Sequence, residues 1–164
     1  RWGRRRPECA LPTSAGKAVA SKPLRDRVTV LHFWGYRDTP LVEPYGQIGY
    51  LDFLNRRNKD RKVQIYGVAV DDRLAEPSTK GRAVAGVRKL KSFMNLSYPI
   101  LLDDGTVLKK FGDPRIAGAK LPLFVIIDGS GKVTHYHSGV YEIDRRLGLK
   151  QLMDVIQKNA ESIE

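Results

Sequence analysis

Residues 30–44 read VLHFWGYRDTPLVEP, and the parsing of this stretch decides the fold. Its first half completes an apolar, β-branched run, RVTVLHFW at 27–34, in which both positions of the two-residue pleat are mostly apolar. Such a strand is covered on both faces, as in a parallel or mixed α/β sheet. The second half changes character. Asp38 ahead of Thr39 and Pro40 is a helix-start pattern, because a carboxylate accepts the free N–H groups of a first turn. Pro44, Gly46 and Gly49 crowd the turns that follow, and Pro44 would delete a helical hydrogen bond if the helix began at Thr39. The stretch therefore predicts a strand, a short turn capped at Asp38, and a main helix from about Tyr45.

Working outward, VQIYGVAVDD (63–72) is a second strand of the same doubly covered kind. Between the two, Ile48, Leu51 and Leu54/Asn55 recur at helical spacing, which makes a right-handed βαβ unit. A Pro-, Ser-, Thr- and Gly-rich loop is predicted at 75–82, then a helix marked by Val84, Val87, Leu90 and Phe93/Met94. YPILLDDG is a short extended piece ending in a turn, and Val107 to Phe111 suggests a short helix. LPLFVIIDGSGKVTHYHSG reads as a β-hairpin with strands 122–128 and 132–138 about a DGSG turn. Leu149, Leu152, Val155, Ile156 and Ile163 line a closing helix, and ALPTSAGKAV near the start reads as a turn or hairpin with Gly16 at its tip. The order is β-α-β-α-β-β-α: an α/β fold with a central mixed sheet flanked by helices. Residues 1–9 read as a basic tail or linker, and 10–164 as one domain.

At 164 residues the chain suits a single core. No apolar run approaches the ~18 residues that a membrane helix needs. The net charge of +11 is unevenly placed, with +7 in residues 1–37 and +4 in the remainder. The excess lies in RWGRRRP and the segment after it, which reads as a solvated tail. Contact with nucleic acid or anionic lipid through Arg1, Arg4, Arg5 and Arg6 is a lesser reading. The chain opens on Arg1 instead of Met, as expected of a processed or excised segment, so the lack of a signal peptide says nothing of compartment. Cys9 is the one cysteine, which excludes an intrachain disulfide and any cysteine-based metal cluster.

Other chemistry-bearing residues read as structural. His135 and His137 alternate on a strand and share a face, and His32 lies in the core strand. Without a nearby third ligand the pair reads as surface histidines of the hairpin. Asp71/Asp72 and Asp103/Asp104 end strands and precede turns, where carboxylates serve turn chemistry. GSGK at 129–132 is not a phosphate loop, because the motif demands glycine where Ile126 stands. The basic runs NRRNKDRK and GRAVAGVRKLK lack the interspersed aromatics of a base-stacking surface, which makes nucleic acid an unlikely partner.

Four of these segments, in this order, resemble the thioredoxin-like superfamily, in particular the TlpA-like and peroxiredoxin-like (AhpC/TSA) domains of bacteria. LPTSAGKAVASKPLRDRVTVLHFW is similar to the opening turn and first core strand, and VQIYGVAVDD to the second strand. YPILLDDGTVLKKFG is similar to the segment before the signature proline, and KLPLFVIIDGSGKVTHYHSG to the proline, strand and hairpin. The likeness covers about residues 10–160. It implies a cis Leu121-Pro122 bond opposite the redox site, with Leu121 offering backbone groups to extended peptides. It also implies that a Cys-x-x-Cys pair would fall at Asp38 and Leu41. Only Phe33, Trp34 and Pro40 keep the family's look there.

Thiol–disulfide exchange needs an attacking thiolate and a second, resolving thiol. Asp38 can cap a helix and Leu41 can fill space, but neither exchanges electrons. The expectation is therefore a redox-inactive domain with no catalytic residue, no cofactor and no metal. It would bind a protein or extended peptide at the former active-site rim: Trp34, Tyr36, Asp38, Leu41, Leu121 and Pro122. The alternative is thiol-disulfide oxidoreductase or peroxidase activity, as in the family, through Cys9 or an external thiol. The resemblance favours an extracytoplasmic domain of a longer exported protein.

Overall fold

The computed structural model describes residues 10–14, 18–20, 27–36, 47–59 and 62–163. The opening hairpin is present: β1 (Ala10–Pro12) pairs antiparallel with β2 (Ala18–Ala20). The decisive run becomes β3 (Val28–Gly35), with seven of its eight residues buried. It leads, through α1 (Ile48–Arg57), to β4 (Val63–Val70), which lies parallel to it in the register Val28↔Val63 to Gly35↔Val70. After α2 (Pro77–Phe93), β5 (Ile100–Asp103) adds in parallel outside β4. After α3 (Thr106–Phe111), β6 (Leu123–Ile127) returns antiparallel on the other side of β3 and folds back into β7 (Val133–Ser138). α4 (Lys150–Glu161) closes the chain, and the sheet order is β5-β4-β3-β6-β7.

The sheet separates two apolar cores. Even-numbered residues of β3 (Val28, Val30, Trp34, Tyr36 beyond its end) face one side, with Phe124 and Ile126 of β6. There they meet Ile48, Leu51 and Leu54 of α1, Val87 of α2 and Leu152 and Ile156 of α4. Odd-numbered Leu31 and Phe33 face the other side, with Leu123 and Val125, and meet Val107, Leu108 and Phe111 of α3. Right-handed crossovers between parallel strands explain why α1 and α2 share a face. The connections through α1 and α2 both step outward across the sheet in one direction, so both helices lie on one face. The connection through α3 steps back and lies on the other.

Three expectations need correction. The loop expected at 75–82 is largely helix, because α2 starts at Pro77; proline is well suited to a first helical position, where its missing N–H would be unpaired anyway. α1 begins at Ile48, later than Tyr45, after Gln47 in a left-handed conformation (φ 70°). The stretch YPILL supplies the edge strand β5 and Val107 to Phe111 lies in α3, so from β3 onward the chain has one strand and one helix more than the seven-element order. On α2 the apolar stripe turns inward at Ala83 and Val87, while Phe93 is 88% exposed.

Candidate functional site

At the carboxyl end of β3 the chain leaves the sheet, and the start of β6 lies beside it. The Leu121-Pro122 bond is cis, as the resemblance implied. A methyl group placed on Gly35 would lie 3.8 Å from Leu121 Cδ1, so the last residue of β3 and the residue before the proline face one another directly. The loop is anchored from β7: Gly139 N–H donates to the Pro122 carbonyl at 2.7 Å, and Ser138 Oγ–H to the Lys120 carbonyl at 2.7 Å. Pro122 is buried and Leu121 half-buried. Among the described residues, no backbone hydrogen bond uses the Leu121 N–H or C=O.

The structure gathers only part of the expected rim. Leu121 and Pro122 lie together at the surface end of the sheet. Trp34 and Tyr36 do not present their rings there: they are 1% and 7% exposed, packed edge to face with centroids 5.9 Å apart. Tyr36 is wedged against α2, where a methyl group on Gly86 would collide with its hydroxyl, and the Arg73 guanidinium lies 6.0 Å from its ring centroid. Both point into the helix-covered core because even-numbered positions of β3 do so. Asp38 and Leu41 lie outside the described residues, as does Cys9.

A second group of side chains, unforeseen as a unit, lies under β6 and β7 on the α1/α4 face. His32, with no exposed surface, stacks on Phe124 at 4.6 Å; Phe124 meets Tyr141 at 4.7 Å; and Tyr141 stacks on His137 at 4.0 Å. Tyr141 Oη lies 2.5 Å from His135 Nε2. His135 and His137 share a face as expected, but they are not surface residues of the hairpin. His135 is 7% exposed, because the segment after β7 folds back and lays Tyr141 over the strand. Burial, and then the neighbouring His137, hold the His135 imidazole below its ordinary value. Burial pushes the Tyr141 phenol well above its own.

Gln47 fixes this arrangement from 94 positions away. Its side-chain amide donates to the Tyr141 carbonyl at 2.8 Å and its Oε1 accepts from the Tyr141 N–H at 3.0 Å, mimicking one rung of a β-ladder. No local signal in the sequence announces this pair. The paired aspartates are structural, in keeping with turn chemistry. Asp71 accepts from the Arg73 N–H and forms an ion pair with its guanidinium at 2.7 Å. Asp103 accepts from the N–H groups of Gly105, Val107 and Leu108 at the start of α3. In the DGSG turn, Asp128 accepts from Ser130 and Lys132. No cluster of three His, Cys, Asp or Glu able to hold a metal ion occurs among the described residues.

The model of the AhpC/TSA family matches residues 2–136. The chain belongs to the AhpC/TSA family. Solved structures agree at the level of fold. A thiol:disulfide interchange protein of the thioredoxin family from Chlorobium tepidum TLS superposes with a TM-score of 0.71 at 17% identity, over 98% of each chain. Peroxidoxin BcpB from Mycobacterium tuberculosis gives 0.63 at 21% identity, over 100% of this chain and 98% of its own. A peroxiredoxin-like protein from Aquifex aeolicus gives 0.69 at 18% identity, over 96% and 86%. Comparison with curated proteins finds no match. Family and neighbours together identify a thioredoxin-like fold. Among the described residues, no helix is long and apolar enough to cross a membrane.

Proposed function

We propose that this AhpC/TSA-family domain captures an extended protein segment beside Leu121 and Pro122 and does not itself exchange thiols. One observation carries the reading: Cys9 is the chain's single cysteine, and residues 37–46, where the resemblance places the redox pair, contain no sulfur. An attacking thiolate without a resolving partner stops at a mixed disulfide. Support for binding comes from the half-buried Leu121 beside Gly35, whose backbone N–H and C=O no described residue engages; a strand-like peptide recruits such groups. The family's own chemistry, run through Cys9 and an external thiol, is the competing reading.

Insulin-reduction and peroxide-consumption assays, run on the wild type and on Cys9→Ser, separate the two. The binding role predicts background rates for both proteins, whereas activity that disappears with Cys9 would establish the redox role instead. Titration with extended peptides should show binding that Leu121→Asp weakens; peptides that ignore this change would remove the rim from consideration. The double substitution Asp38→Cys with Leu41→Cys checks the placement itself and should yield a reducible disulfide. The resemblance also favours an extracytoplasmic parent protein, and cell fractionation tests that location directly.

A further inference from the structure

The outer face of α1 carries an apolar groove of about 610 Å³. Tyr50 and Phe53, three residues apart on α1, form its floor with Met94 and Ile143. Two glycines bring these walls together. A methyl group on Gly148 would lie 3.1 Å from the Tyr50 ring, and one on Gly49 would lie 3.9 Å from Met94 Cε. Phe53 and Ile143 remain 42% and 44% exposed.

The rim has one dominant charge. Arg145 and Arg146 line the groove, and the Arg57 guanidinium sits 5.4 Å from the Phe53 ring centroid. One carboxylate, Asp144, lines the groove beside them and keeps its charge, which leaves the guanidinium groups in excess at the rim. Asp144 accepts from the N–H groups of Arg146 and Leu147, and Asp52 is held by Arg56 and Ser97. Neither Arg145 nor Arg146 forms an ion pair with a described residue. An apolar floor under guanidinium groups complements apolar anchors flanked by carboxylates. A second copy of this chain, at +11, would set the same arginines against each other, and the chain's own Arg-rich lead carries the same sign.

We propose that this groove docks an acidic amphipathic helix of a partner protein, its apolar face on Tyr50, Phe53 and Met94 and its carboxylates against Arg145 and Arg146. Neither Leu121 nor Pro122 lines the groove, so the inference is independent of peptide capture at the cis-proline rim.

The test uses a labelled synthetic helix about 15 residues long, with Leu and Phe at helical spacing and Glu flanking them, titrated into the whole chain. A version with Lys in place of Glu is the control. The proposal expects saturable binding of the acidic helix, weakened roughly tenfold or more by Phe53→Asp and by Arg145→Glu with Arg146→Glu, and declining as salt rises. Circular dichroism confirms that each variant is folded. Equal binding of the two helices, or indifference to charge reversal, would overturn it. So would an absence of binding coupled to a large loss of thermal stability in Phe53→Asp, which would mean that the chain covers its own groove. Phe53-dependent dimers in sedimentation, or Phe53-dependent binding to phosphatidylserine vesicles without binding of the helix, would assign the surface to a second copy or to a membrane and likewise refute the proposal.

Discussion

At the scale of single residues, His135 links packing to pH. Its imidazole is buried beside His137 and Tyr141, and burial disfavours its charged form. The folded value lies below the ordinary 6.5, so the unfolded chain binds more protons in the interval between the two. Stability is therefore fully present above 6.5 and is lost as the pH falls from there toward the folded value. The aspartates with shifted values, Asp52, Asp104, Asp113, Asp128 and Asp144, are all lowered from 3.8, so their contributions fade only in stronger acid. Urea midpoints should therefore fall between about pH 7 and about pH 5. His135→Gln, which can still bond to the Tyr141 hydroxyl without acquiring charge, should flatten that slope. An unchanged slope would place the proton uptake elsewhere.

At the scale of elements, α3 shows how one buried side chain fixes a helix. It has only six residues, too few to be stable by propensity, and its start is organised by Asp103 at the end of β5. That carboxylate, 1% exposed, accepts three backbone N–H groups, while Val107, Leu108 and Phe111 fill the second core. Asp103→Ala leaves these donors buried and unpaired. It should cost about 2–4 kcal/mol, and Asp103→Asn, which keeps an acceptor oxygen, about half as much. Chemical denaturation of the three proteins measures the difference; equal stabilities would show that α3 is held by its apolar face alone.

At the scale of the whole molecule, the central position of β3 governs both stability and site. It has a neighbour on either side and a core on either face, so opening it breaks everything at once. Native-state hydrogen exchange should find its amides slowest, matching global unfolding, with the edge strands β5 and β7 exchanging faster. Uniform exchange across all five strands would show that no smaller opening exists.

Much of this architecture was legible because it is local. The apolar runs of β3 and β4, the spacing of Ile48, Leu51 and Leu54 and the DGSG turn each announce themselves within a few residues. Pro77 misled because the residue types that begin helices also fill loops. The amino-acid sequence by itself determined the strands β3, β4, β6 and β7, which rest on short-range periodicity, and the resemblance of four segments in order pointed to the family. It also determined the shortage of sulfur, which composition alone settles. Only the tertiary structure decided that Trp34 and Tyr36 point inward, that Gln47 grips Tyr141, and that two apparently exposed histidines are roofed by a tyrosine. Each of these depends on segments far apart in the chain meeting in space, and no local pattern encodes which distant face will cover a given side chain.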